Sequence, residues 1–253
     1  MRKDVFNLEE LSRLWEPQFE VLSAAGEEYD PRNWEKLWPG HSARWTLKFL
    51  LSAAISSNDS TCFNRKTGAA LVDIKKQRNK VLAPFILSSC FNGAPTGISP
   101  CTSLGYCAYK RTALEDFCRE RKINREKPFP EELKGDFKKF KDRYLHFCQA
   151  MHAEANAIYF SPTNAHGKML FATTNPCPSC ARILVQNGIG AVIYSTPYKF
   201  SPSGRPLLAE ETRRLFEEAK VACVQLPIPK EYINFVLQIT QLAGQEIRDK
   251  AVD

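Results

Sequence analysis

Residues Lys168 to Leu226 read KMLFATTNPCPSCARILVQNGIGAVIYSTPYKFSPSGRPLLAEETRRLFEEAKVACVQL. Three apolar runs in this stretch, KMLFAT (Lys168 to Thr173), AVIYST (Ala191 to Thr196) and VACVQL (Val221 to Leu226), have strand length and strand composition. Between them, Pro178 to Gln186 and Leu208 to Ala219 carry apolar residues at helical spacing. Strand and helix alternate over short connections, which implies right-handed crossovers and hence parallel strands covered by helices on both faces. Just upstream a further helix is expected from about His152 to Phe160.

Working outward, HSARWTLKFLLSAAISS (His41 to Ser57) reads as a core-facing helix. TGAALVDI (Thr67 to Ile74) and VLAPFILSS (Val81 to Ser89), joined by the basic segment KKQRNK, read as a hairpin. FNGAPTGISPCTSLGYC (Phe91 to Cys107) is punctuated by Gly and Pro, so we expect an irregular loop with space for function, ending in a helix from Ala108 to Arg121. The charged run Ile123 to Tyr144 reads as a surface insertion, and Lys230 to Ala251 as a final helix. The expected organisation is an N-terminal helical extension over 1–40, one domain over 41–228 with a charged insertion at about 108–146, and a C-terminal helix over 229–253.

Composition narrows the class. With 253 residues, 43% of them hydrophobic and 25% charged, the chain can bury an ordinary core, which excludes small disulfide-stapled and disordered classes. No apolar run approaches the roughly 20 residues a bilayer needs, and the start MRKDVFNLEE has acids where a signal peptide is apolar. A cytoplasmic protein without membrane contact is expected. Nine cysteines, an odd number, then point to metal or thiol chemistry before disulfides, and a net charge of +7 favours an anionic ligand such as a nucleotide.

Two segments carry the chemistry: MHAEANAI (Met151 to Ile158) and TNPCPSCARIL (Thr174 to Leu184). Cys177 and Cys180 bracket a turn at an expected helix start, where backbone N–H groups favour thiolates. His152, opening the preceding helix, can supply a third donor. Three protein ligands leave zinc one position for a water whose pKa falls toward about 7, the pattern of a catalytic ion. Glu154, two residues on, is placed to move a proton without ligating the metal.

His-x-Glu followed by Pro-Cys-x-x-Cys is the signature of the zinc-dependent nucleobase deaminases, and within that superfamily the sequence resembles the deoxycytidylate deaminases. The resemblance rests on CFNRKTGAALV (Cys62 to Val72), CFNGAP (Cys90 to Pro95), HAEANAI and QNGIGAVIYSTPYKF (Gln186 to Phe200), and spans roughly residues 45–228 without the insertion. Adenine-specific tRNA deaminases share the two metal segments but usually have Pro-Thr-Ala before the histidine, where Gln149, Ala150 and Met151 stand here. The resemblance implies an α/β fold, a three-layer αβα sandwich around a central mixed, mostly parallel five-stranded sheet. It further implies a zinc enzyme converting a cytosine nucleotide, dCMP to dUMP, in a homo-oligomer. Substrate contacts would come from Asn92, Phe91, Ala153, Tyr198 and Arg65, the last beside Lys66 for the phosphate. Phe91 stands where the family usually has Tyr, which removes one hydroxyl. Some members carry a second, structural zinc near the substrate loop. Cys62, Cys101, Cys107, His146 and Cys148 lie in those regions, with buried free cysteine as the alternative reading.

Two other functions stay open at this level. The same chemistry could act on cytosine or adenine in single-stranded DNA or RNA, with Phe129, Phe137, Phe140 and Tyr144 of the insertion as a binding surface. The 12 basic against 8 acidic residues between Ala108 and His146 are too mixed for a polyanion track, so a free nucleotide is the expected partner. A catalytically decayed binding module is the third reading, and the presence of His152, Glu154, Cys177 and Cys180 together argues against it.

Overall fold

The computed structural model describes residues 20–23, 43–73, 76–77, 80–81, 84–196, 206–226 and 228. In chain order the elements are β1 (Glu20–Ser23), α1 (Ala43–Ser57), β2 (Gly68–Asp73), β3 (Lys76–Gln77), β4 (Lys80–Val81) and β5 (Phe85–Phe91). There follow α2 (Cys101–Leu104), α3 (Ala108–Glu120), α4 (Lys134–Lys141), α5 (Ala153–Tyr159), β6 (Met169–Thr174), α6 (Pro178–Gln186), β7 (Ala191–Thr196), α7 (Pro206–Glu218) and β8 (Ala222–Gln225). Short 3-10 turns at Glu131–Leu133 and Asp142–Phe147 flank α4.

The main sheet has the order β1-β8-β7-β6-β2-β5. Strands β6, β7 and β8 pair in parallel, as the alternating pattern requires, while β2 runs antiparallel to both β6 and β5. Four of the five inner-fold strands therefore point the same way, and the mixed, mostly parallel five-stranded sheet is present. A sixth strand extends it: β1 pairs antiparallel with β8. Where a helical extension is expected over 1–40, the four residues described there are a strand, because the edge of β8 offers unpaired backbone groups that an extended segment can satisfy.

Strand residues alternate between two cores. Ala70, Val72, Met169, Phe171, Ala191, Ile193, Ala222 and Val224 face α1, packing on Leu47, Phe49 and Leu50. Ala69, Leu71, Leu170, Ala172, Val192, Tyr194 and Cys223 face the other way, onto Ala153 and Ala157 of α5, Ala181 and Leu184 of α6 and Phe216 of α7. This is the three-layer αβα sandwich. Gly68 lets α1 come against β2: a Cβ there would sit 1.8 Å from the Ala53 carbonyl oxygen. None of the described helices is long and apolar enough to cross a membrane.

Three segments differ from the sequence expectation. The hairpin's second strand starts at Phe85, not Val81, because Pro84 has no N–H for a ladder, and Lys80–Val81 instead pairs with Lys76–Gln77 in a small separate ribbon. The Gly- and Pro-rich loop contains a helical turn, Cys101–Leu104, closed by Gly105 at φ 74°. The insertion's aromatic residues are turned on one another and not displayed as a base-stacking surface. Phe117 of α3 lies 6.0, 5.5 and 5.1 Å, ring to ring, from Phe129, Phe137 and Phe140. Tyr144 stacks on Phe140, and its hydroxyl donates to Asp116. The expected C-terminal helix over 229–253 lies outside the described residues.

Candidate metal centre

Two helix starts meet at the C-terminal end of β6. His152 caps α5 and Cys177 caps α6, both with extended backbone, and Pro178 occupies the first helical position, where a missing N–H costs nothing. Cys180 falls one turn into α6, so its thiol returns to the same end as Cys177. His152 Nδ1 lies 3.5 Å from Cys177 Sγ and 3.3 Å from Cys180 Sγ. The three donor atoms all lie within 4.8 Å of one another, and among the described residues no other group of three does.

The three groups are linked through the protons they share. The Cys177 thiol is drawn down to about 4, first by the hydrogen bond from Cys180 and then by His152, against the opposing effect of burial. Cys180 is pushed up, because it donates to that thiolate and is itself buried. His152 rises to about 9, chiefly through its hydrogen bond to Cys177. One thiolate, one thiol held protonated by its neighbour and one imidazolium are what two sulfurs and a nitrogen become when only protons are on hand to separate them. A tetrahedral zinc with Zn–S about 2.3 Å and Zn–N about 2.0 Å spaces its donors by roughly 3.5 to 3.8 Å. The residues present fit a metal ion, and their donor set of one imidazole and two thiols is one that suits zinc.

Glu154 lies one step inside α5, with 6% of its surface exposed. Burial pushes its carboxyl up from the ordinary carboxylate range, and the Cys180 side chain is a hydrogen-bonding neighbour. Ala153, the first residue of the same helix, is buried in the core. A carboxyl so placed can give and take a proton beside the three donors while staying outside them.

The loop after β5 is fastened to this helix. Gly93 and Met151 exchange both backbone hydrogen bonds, at 3.1 and 2.8 Å, immediately before His152. Asn156 Nδ2 donates to the Phe91 carbonyl at 2.8 Å. Asn92, 6% exposed, turns its carboxamide toward the 60–67 loop, where it meets Ser60, Arg65 and Thr67. Arg65 is half-buried there, and Lys66 donates to the Asn58 carbonyl. Tyr198 lies outside the described residues.

Four of the other cysteines, Cys62, Cys101, Cys107 and Cys148, lie near one another. A hydrogen bond from Thr102 N to Thr61 O draws the start of α2, with Cys101, against the Cys62 loop, and Cys107 caps α3. Burial raises the Cys107 and Cys148 thiols, and each is raised further by Cys101. They share a neighbourhood, yet no three described donors among them approach as closely as the His152 group. The His146 side chain lies outside the described residues.

Sequence reasoning missed three supporting residues. Asn156 is signalled by a polar side chain in the otherwise apolar turn ANAI. Thr212 of α7, 3% exposed, donates to the Pro176 carbonyl at 3.3 Å and so braces the cysteine turn. Ser60, 3% exposed, carries no signal in the sequence.

Comparison with known proteins bears on the same region. Deoxycytidylate deaminase of Saccharomyces cerevisiae is 24% identical over 189 residues, covering 74% of this chain and 46% of that protein, so the chain spans about half the length of the yeast relative. Deoxycytidylate deaminase of Pongo abelii is 26% identical over 198 residues, covering 75% of this chain and 88% of that one. A crystal structure of dCMP deaminase from the cyanophage S-TIM5, in complex with dCMP and dUMP, overlays with a TM-score of 0.44 at 18% identity, over 74% of this chain and 99% of that one. The sequence model of the cytidine and deoxycytidylate deaminase zinc-binding region matches residues 43–196, from the start of α1 to the end of β7 and across both halves of the metal centre. By that match the chain belongs to the cytidine and deoxycytidylate deaminase family.

Proposed function

We propose that this chain hydrolyses the exocyclic amine of a cytosine nucleotide, converting dCMP to dUMP and ammonia, with zinc held by His152, Cys177 and Cys180. The observation that carries the reading is the convergence of these three donors at two helix starts, with a buried carboxyl, Glu154, beside them. Zinc bound there supplies the Lewis acidity by which water becomes a nucleophile near neutral pH. Glu154 would take one proton from the attacking water and hand it to the ring nitrogen, then carry the water's second proton to the departing amine; a carboxyl already raised by burial holds a proton well enough to deliver it. Phe91 and the backbone of Ala153 border the base, Arg65 meets the phosphate, and Tyr198 is a further contact on the nucleotide.

Names of the relatives support the substrate: both the yeast and the Pongo proteins are deoxycytidylate deaminases. Nine cysteines, none of them in a disulfide, suit a reducing compartment, and we place the protein in the cytoplasm. Adjacent exposed aromatics at the far end of α5, Tyr159 and Phe160, support assembly of several copies. The deciding experiment incubates zinc-loaded protein with dCMP, dCTP, deoxycytidine, adenosine monophosphate and a single-stranded oligonucleotide, and follows ammonia release. Fastest turnover of dCMP is expected. Preference for the oligonucleotide or the adenine nucleotide would reject the reading.

A further inference from the structure

The family resemblance makes Asn92 a direct substrate contact, but the bonds its side chain makes point elsewhere. Its Oδ1 accepts from Ser60 Oγ at 2.7 Å and from the Thr67 backbone N–H at 2.8 Å. Its Nδ2 donates to the Arg65 carbonyl at 2.8 Å. Ser60 Oγ also lies 2.8 Å from the Asn92 carbonyl oxygen, and the Asn92 backbone N–H donates to Thr67 O at 3.1 Å. The carboxamide orientation follows from these partners, since a backbone N–H must face oxygen and a backbone carbonyl must face the NH2 group. Both lone pairs of Oδ1 and one of the two N–H groups are engaged, leaving a single donor for anything else.

The three partners are the two ends and the middle of one segment. Ser60 closes the turn after α1, Arg65 stands before the first inner strand, and Thr67 leads directly into β2. One buried amide thus gathers the 60–67 loop around a point. We infer that Asn92 is a positioning residue: it fixes the backbone of Arg65, and through it the place where the guanidinium meets a substrate phosphate. This inference rests on the proposed reading of the site as one that takes a nucleotide. A direct sugar contact would be felt equally by deoxycytidine and dCMP, because both carry the sugar. A clamp acting through Arg65 is felt more by the substrate that has the phosphate.

The test compares two variants with the wild-type chain, all zinc-loaded. Asn92→Asp keeps an acceptor for Ser60 and Thr67 but sets a carboxylate oxygen against the Arg65 carbonyl. Ser60→Ala loosens the same clamp without touching Asn92, and keeps the test alive if the first variant does not fold. Kinetics are measured on dCMP and on deoxycytidine, and amide hydrogen exchange over residues 60–67 is followed in parallel. Asn92→Asp is expected to lower the ratio of kcat/KM for dCMP to that for deoxycytidine by about tenfold, and Ser60→Ala by about threefold, the scale of one or part of one hydrogen bond. Exchange in the 60–67 loop is expected to speed up in both while zinc content stays at the wild-type value. Equal losses on the two substrates, with loop exchange unchanged, would overturn the clamp and return Asn92 to the sugar. If wild-type protein deaminates neither substrate, the functional reading fails, and the exchange measurement alone still decides whether Asn92 holds the loop.

Discussion

The roles proposed for Glu154 and Cys177 differ, and experiment separates them. Glu154→Ala removes a buried carboxyl that touches no metal in our assignment, so the variant should keep its zinc and lose turnover by about 100- to 10,000-fold, as metal analysis and ammonia release will report. Loss of the zinc would instead make Glu154 a ligand. Cys177 can be tested without any substitution. With the metal stripped by a chelator, its thiol lies near 4 and is ionised throughout the neutral range, while Cys180 is held protonated. Because a depressed pKa means the thiolate is lost only as pH falls toward that value, iodoacetamide should label Cys177 at pH 6 nearly as fast as at pH 8, and before Cys180. Mass spectrometry of the labelled peptides checks this, and Cys180 reacting first would reverse the assignment. At this scale the convergence of His152, Cys177 and Cys180, with Glu154 beside them, was readable in the sequence, because a metal-binding reading demands particular side chains at particular spacings. The partners of Asn92 were not readable: Ser60, Arg65 and Thr67 become neighbours of Asn92 only once β2 and β5 have paired.

Among the elements, the contact between α1 and β2 is the least forgiving. A methyl on Gly68 would have to occupy the Ala53 carbonyl and would also press on the Ser57 N–H, both backbone atoms that cannot swing aside. Gly68→Ala should therefore cost about 1 to 3 kcal/mol or more, read as a lowered urea midpoint with an unchanged slope. An unchanged midpoint would mean that α1 can back away from the sheet. The succession β6, α6, β7, α7, β8 was legible because each element carries its own period and its neighbours follow within a few residues. Two things escaped for physical reasons. β1 is four residues in a stretch rich in Trp, Glu and Pro, and its strand character comes from an edge supplied by β8 at the other end of the chain. The late start of β5 was visible in Pro84, whose missing N–H should have ended the apolar run there.

Across the whole molecule, the inserted helices α3 and α4 own a small core. Phe117, 1% exposed, touches three aromatic rings within the insertion. Truncating it removes the common partner of all three, so Phe117→Ala should cost the insertion about 3 to 5 kcal/mol. Amide exchange should then lose protection in α3 and α4 while β6, β7 and β8 keep theirs; a uniform loss across the sheet would show that the insertion and the sandwich stand or fall together. The antiparallel insertion of β2 between β6 and β5 has a consequence in time. The bond from Gly68 N to Thr173 Oγ1 spans 105 residues, whereas β6, β7 and β8 meet through single crossovers. Closing the long loop is entropically slower than closing the short ones, so a refolding chain should assemble β6 to β8 first and dock β2 and β5 last. Pulse-labelled exchange during refolding, with protection in β6 to β8 ahead of β2, checks the order. On the ribosome the same order means that the earliest of the inner strands to be synthesised is the last to find its place, waiting through more than a hundred residues of growth for the partner that seats it.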